Sequence, residues 1–220
     1  MTHEEGPGQN EIDFRYSDAL TAADNSQTFQ RVVKTVASQN GLYADFSPKP
    51  LESAPGNGYH INISLPQFED KAIYSGMIAG ILSNIRAMTL FLNPTAESYK
   101  RLGVSKAPIY VSWSPENRSQ LVRIPAATNE YRRAELRSPD AGTNPYLAFG
   151  LLIYACMDGI ENKLSLPEPA NINFYTAGPE ITSKYEKLPA SYEEACEAAK
   201  SSEFIRAHVP ADILSIYCGK

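Results

Sequence analysis

Two segments, Ala72 to Leu92 and Pro145 to about Lys163, are apolar nearly all the way round, and a chain cannot leave two such helices in water. They force a core. In the first, Gly76 and Gly80 stand one helical turn apart, a spacing that admits another backbone at close range, and Asn93-Pro94 ends the helix after Phe91. In the second, Asn144 is placed to cap the helix, Pro145 occupies its first position, and the apolar run lasts until Asp158. The first segment has the length of a membrane span, but Asn84 and Arg86 interrupt it and Ser75, Ser83 and Thr89 dilute it. The expectation is a buried helix in a soluble protein.

With 220 residues, 43% of them hydrophobic and 20% charged, the chain has the material for one large domain or two small ones. Its formal charge of -5 argues against nucleic acid, which is held by an excess of Lys and Arg, so any anion site must be local. Cys156, Cys196 and Cys218 are widely spaced and form no CxxC, which suits buried thiols in a reducing compartment. The opening "MTHEEGPGQNE" has neither the basic nor the apolar run of a secretory signal. The reading is cytoplasmic, with no nucleic-acid and no membrane partner.

The remaining pattern is mixed α and β. Ala19 to Asn40 reads as an amphipathic helix with Phe29, Val32, Val33 and Val36 on one side, ended by Gly41. Strands are expected at "EIDFRYS", "LYADF", "GYHINISL", "APIYVSW", "QLVRIP" and "EYRRAELR". Proline-rich residues 165 to 190 read as an irregular connection or arm, followed by short helices at about Ser191 to Ser201 and Ala211 to Tyr217.

Alternation assigns the faces of these strands, because side chains at i, i+2 and i+4 point the same way. In "GYHINISL" Tyr59, Ile61, Ile63 and Leu65 form an apolar face and His60, Asn62 and Ser64 a polar one. In "EIDFRYS" Ile12, Phe14 and Tyr16 oppose Glu11, Asp13 and Arg15. In "EYRRAELR" Tyr131, Arg133, Glu135 and Arg137 share one face, while Arg132, Ala134 and Leu136 share the other. A sheet with one solvated side would look similar for any single strand. From Ala107 to Asn162, however, there are five arginines (Arg118, Arg123, Arg132, Arg133, Arg137) and no lysine. Arginine suits bidentate holding of phosphate or carboxylate, and Glu with His suits a divalent cation. Metal, phosphate and carboxylate together suggest phosphoryl chemistry on a carboxylate substrate, without a P-loop.

The blocks "HEEGPGQNEIDFRYSDALTAADN", "PKP", "GNGYHINISL", "NPTAESYKRL", "ENRSQLVRIPAA" and "RRAELRSPDAGTNPYLAF", in that order, closely resemble the catalytic domain of glutamine synthetase. The resemblance runs over essentially the whole chain. It implies an α+β fold in which a curved, largely antiparallel sheet backed by helices lines a funnel, with residues 1 to 220 forming one catalytic domain that includes the 165–190 arm. It also implies ATP-dependent joining of ammonia to the γ-carboxyl of glutamate through a γ-glutamyl phosphate, with two or three Mg²⁺ or Mn²⁺ ions per site. Carried over by residue, it places Glu4 and Glu11 on one metal and His60 and Glu135 on the other. Ser64 and Arg133 fall near the nucleotide, Arg118 and Arg123 near the transferred phosphate, and Gly56, Arg101 and Arg137 near glutamate. Arg118, Arg123 and Arg137 carry the catalytic charge stabilisation.

The sequence also departs from the family pattern. A small N-terminal β domain and a strand with further metal-binding glutamates do not precede Glu4, so each metal site would lack a ligand. Residues 1–220 alone are accordingly expected to be nearly inactive, and monomeric or a small oligomer, where the whole protein would be a homo-oligomer. Lys106, in "RLGVSKAP", falls at or near a loop glutamate that accepts a proton from ammonium in the family, and a cation there cannot act as that base. Pro55 stands where asparagine is common, and Asn62 replaces a second histidine. Two alternatives stay open: a γ-glutamyl ligase using another amine, and a catalytically silent relative acting as a binding or structural oligomer.

Overall fold

The computed structural model describes residues 1–67, 69–127 and 131–219. Its elements run β1 (Thr2–His3), β2 (Asn10–Glu11), α1 (Ala19–Gln39), β3 (Ile61–Ile63), α2 (Lys71–Leu92), α3 (Ala96–Tyr99), β4 (Trp113–Pro115), β5 (Val122–Ile124), β6 (Ala134–Leu136), α4 (Pro145–Glu161), α5 (Pro179–Thr182), α6 (Tyr192–Ser201), α7 (Glu203–His208) and α8 (Ala211–Cys218). The α+β class is as expected. Strands β3, β6, β5 and β4 lie side by side in that order, antiparallel except for the parallel β4–β5 pair, and β1 with β2 makes a separate two-stranded ribbon.

Both apolar helices form where expected, but only α2 is largely buried; α4 buries the side carrying Ala148, Leu151, Leu152 and Ala155 and leaves Ile153, Tyr154 and Met157 about half exposed, contrary to its all-round apolar pattern. The Asn144 side chain accepts from the backbone N–H groups of Tyr146 and Leu147, and Asp70 caps α2 through Ala72 and Ile73. Among the described residues α2 is the one helix long and apolar enough to cross a membrane, but most of it is buried in the molecule, as befits a core helix. It crosses α4 at the predicted glycines. A Cβ on Gly76 would lie 2.9 Å from the carbonyl oxygen of Gly159, and one on Gly80 would collide with the carbonyl of Ala155. Around this crossing Ile78, Ile81, Ile85 and Met88 of α2 and Leu151, Leu152 and Ala155 of α4 pack against Ile61, Val122 and Leu136 of the sheet. Each fully buried Ile, Leu or Met there contributes about 2 kcal/mol.

Helix α1 ends in the expected way. Gly41 has φ 70°, and the Leu42 N–H bonds the Ala37 carbonyl at 2.9 Å, closing a Schellman turn. Its packing differs from expectation: Ala23 and Ser26 are its buried residues, while Val32 and Val36 are 53% and 50% exposed.

Several expected strands are shorter or missing. "EIDFRYS" pairs only at Glu11, because Thr2–His3 is the one neighbour the described residues offer it. Its apolar face is not buried: Phe14 is 47% exposed and leans edge-on against Phe29 at 5.3 Å. "LYADF" forms no strand. There the chain turns, with the Ser47 N–H bonding Asp45 Oδ1 at 2.7 Å and Asn57 Nδ2 bonding the Ser47 carbonyl at 2.9 Å. In "APIYVSW" only Trp113 enters the sheet. The stretch before it bonds residues 186–188 instead, through Val111 N–H to the Glu186 carbonyl and Leu188 N–H to the Ile109 carbonyl, both 2.8 Å. Glu130, at the start of the sixth expected strand, lies outside the described residues. Three helices, α3, α5 and α7, were not expected from the pattern, α5 falling within the stretch read as irregular; at 4, 4 and 6 residues they are too short for periodicity to reveal.

Candidate active site

Strands β3, β6 and β5 put their alternation to use. Ile61, Val122, Ala134 and Leu136 face the core, so Glu135, between two buried neighbours on β6, must face the other way. Register then chooses its company: Glu135 lies opposite Asn62 of β3 and Arg123 of β5.

Glu135 is the hub of the site. Its Oε2 accepts from Arg123 Nη1 at 2.8 Å, and its Oε1 lies 3.5 Å from Arg137 Nε and 3.3 Å from His60 Nδ1. The carboxylate and the Arg137 side chain are only 11% and 5% exposed, so these pairs are poorly screened by solvent. Arg123 is anchored as well, its Nε donating to the Glu116 carbonyl at 3.1 Å. Arg133 turns aside: its Nε bonds Asn62 Oδ1 at 3.0 Å and its Nη1 the Tyr131 carbonyl at 3.1 Å. Arg132 pairs with Glu69. Burial pushes the His60 imidazole down to about 4, helped by the positive charge of Arg137 and opposed by Glu135. His60 is therefore neutral near pH 7, with a ring nitrogen lone pair available.

Glu4 and Glu11 meet on the β1–β2 ribbon. Burial, and then a hydrogen bond to Glu4, raise the Glu11 carboxyl to about 7, with Asp13 and Glu135 adding repulsion. Two carboxyls drawn together in this way, within reach of the charge on Glu135, form a set of hard oxygen donors suited to a divalent cation. His60 Nδ1 and Glu135 Oε1 form a second donor pair. Among the described residues no group of three or more such side chains converges, so each position holds two donors.

Arg101 is 4% exposed, its Nη1 donating to the Ser138 carbonyl at 2.7 Å and its Nη2 to the Arg137 carbonyl at 3.4 Å. Burial lowers its guanidinium to about 10, with Asp140 opposing, and it stays charged at neutral pH. Gly56 must be glycine because a Cβ would collide with the Pro48 carbonyl and sit 2.9 Å from Arg101 Cγ. Its carbonyl accepts from Gln9 Nε2 at 3.1 Å, which ties it to the ribbon. Arg118 is exposed on the β4–β5 loop and close enough to depress His60 and Arg137 electrostatically. Ser64 is exposed just past the end of β3. Lys106 is not a free loop lysine: its Nζ lies 2.5 Å from Glu5 Oε1, on the same ribbon as Glu4.

Sequence reasoning missed several residues that shape the site. Asp140, fully buried, accepts from Asn93 Nδ2 and from the Gly142 N–H, both at 2.9 Å, beside Arg101. Gln9 and Asn57 bridge ribbon and loop at 2.9 Å. Tyr175 donates to the Arg118 carbonyl at 2.8 Å from within the stretch read as an arm. The one local signal for it was the aromatic cluster in "NINFY".

Comparison with known proteins decides the family. The family model for the glutamine synthetase catalytic domain matches residues 1–219. The chain belongs to that family. It is 43% identical to a glutamine synthetase of Methanosarcina mazei, covering 99% of this chain and 52% of that protein. It is 42% identical to a glutamine synthetase of Staphylococcus aureus, covering 93% of this chain and 49% of the relative. Among solved structures it resembles GmaS in a complex with ADP, with a TM-score of 0.83 and 29% identity over 94% of this chain, and GmaS without ligand, with a TM-score of 0.82 and 30% identity. The chain spans about half the length of the curated relatives it matches.

Proposed function

We propose that residues 1–220 form the catalytic domain of an ATP-dependent ligase that joins ammonia to the γ-carboxyl of glutamate through a γ-glutamyl phosphate. The observation that carries this reading is the Glu135 cluster. One carboxylate gathers His60, Arg123 and Arg137 on a single sheet face, with Arg118 and the Glu4–Glu11 pair in electrostatic range. Phosphoryl transfer is catalysed mainly by positioning and by neutralising charge on the transferring oxygens, which such a cluster can supply.

In this reading Glu4 with Glu11, and His60 with Glu135, would each hold a Mg²⁺ or Mn²⁺ ion, completed by donors outside the chain. When bound, the ions would supply Lewis-acid stabilisation of phosphate oxygens. Arg118 and Arg123 face the transferred phosphate, Arg133 and Ser64 the nucleotide, and Arg101, Arg137 and the Gly56 backbone the glutamate. ADP in the GmaS complex supports a nucleotide site on this fold. The whole protein would work as a homo-oligomer in the cytoplasm.

A second reading is favoured by one observation. Lys106 is held in an ion pair with Glu5, where the family resemblance places a proton-accepting glutamate. A γ-glutamyl ligase that takes an amine other than ammonia fits a loop without that base. The test is ADP release by the full-length protein with glutamate, Mg²⁺ and a panel of amines. Highest kcat/KM for ammonia supports the first reading, and a preferred alkylamine the second. If no amine drives turnover and ATP does not bind with Mn²⁺, both fall and a catalytically silent oligomer remains.

A further inference from the structure

Arg118 has an unusual support. Among the described residues its guanidinium forms no ion pair, so its place beside the site follows the loop that carries it. That loop is held from outside the sheet. Asn117 Nδ2 and Gln120 Nε2 each donate to the Ile172 carbonyl at 2.8 Å, and the Phe174 N–H donates to Ser119 Oγ at 3.1 Å. Phe174 is fixed in turn, stacked on Tyr110 at 4.7 Å and edge-on to Tyr185 at 4.9 Å.

Tyr175 follows directly. Its hydroxyl lies 2.8 Å from the Arg118 carbonyl and 3.2 Å from the Lys106 carbonyl. One proton serves both, the nearer oxygen taking the stronger bond. The Arg118 carbonyl also accepts from Arg137 Nη1, and Arg137 in turn contacts Glu135. On its other side Tyr175 touches a turn between buried Leu102 and Ala107, in which Gly103 and Ser105 have φ of 75° and 55° and Lys106 pairs with Glu5.

We infer that Tyr175 is a positioning residue, whose hydroxyl joins the Lys106 loop to the Arg118 loop and so holds Arg118 beside the Arg137–Glu135 pair. At 45% exposure its hydroxyl can be removed with little effect on the core. The kinetic consequence rests on the ligase reading above; the structural one does not.

The test is Tyr175→Phe in the full-length protein, with Tyr185→Phe as a neighbouring control. Hydrogen–deuterium exchange is expected to speed up in peptides covering 103–107 and 116–120 in the first variant only. Its kcat for ADP formation should fall about tenfold, with the KM for ATP and for glutamate unchanged within about twofold, because alignment of a charge felt at the transition state is lost while ground-state binding is kept. Unchanged exchange in both loops overturns the inference. So does an unchanged kcat, or a loss carried entirely by KM. If the unsubstituted protein turns over no ATP with any amine, the ligase reading fails, and the exchange result decides the positioning role.

Discussion

His60 Nδ1 stands 3.3 Å from Glu135 Oε1, and the two side chains reach each other diagonally across the β3–β6 ladder. Neither reaches the other without the register that sets Asn62 opposite Glu135. His60→Ala combined with Glu135→Ala is expected to abolish Mn²⁺ binding at that position, and His60→Ala alone to weaken it at least tenfold. Calorimetric titration of Mn²⁺ into the full-length protein measures both.

Arg137 carries a nearly buried charge against a nearly buried carboxylate. Replacing it by Ala leaves Glu135 with Arg123 as its remaining guanidinium partner and opens space beside it. A loss of about 2 kcal/mol is expected in urea denaturation. Arg133→Ala, at a half-exposed side chain bonded to Asn62, should cost less than about 0.5 kcal/mol.

The helix crossing gives a sharper contrast. Gly80→Ala must drive a methyl into the Ala155 carbonyl and should destabilise by about 3 kcal/mol. Gly150→Ala, in the middle of α4 with nothing near its would-be Cβ, should stabilise by about 0.5 kcal/mol. Thermal unfolding of the two variants side by side checks the sign of each.

Cys156 sits in the core, where burial pushes its thiol up to about 12. A thiol that keeps its proton in the fold but loses it near pH 9 when unfolded contributes stability below that pH and loses it as pH rises toward 12. Stability should therefore decline across that alkaline range, and less so in Cys156→Ala. At pH 8 iodoacetamide should label Cys156 only after unfolding.

What the sequence disclosed, and what it did not, follows the range of the interactions. The β3 alternation was readable because one buried face imposes it, and Ile61 and His60 fall on the sides predicted. Asn144-Pro145 and the α2 glycines were readable because caps and close crossings need particular residues. The partners of Glu135 were half readable. Arg137 shares its strand face, but Arg123 arrives from β5 through a register that no local pattern encodes, while Arg133, equally well placed by alternation, turns to Asn62. "EIDFRYS" looked like a full strand, yet alternation alone cannot supply a ladder partner. Asp140 reaches Asn93, and Tyr175 reaches Arg118 and Lys106, across long sequence separations through a few polar atoms, and they left almost no local trace.

The two proposed cation positions are built on supports of unequal firmness. His60 and Glu135 project from a four-stranded sheet fixed to the core, so their donors are already in place before an ion arrives. Glu4 and Glu11 sit on a ribbon of two residue pairs, steadied by Gln9 and by the Lys106–Glu5 contact. A two-stranded ribbon is marginal by itself. Ion capture there would bear the entropy of ordering that ribbon, so the sheet position would be the first to fill.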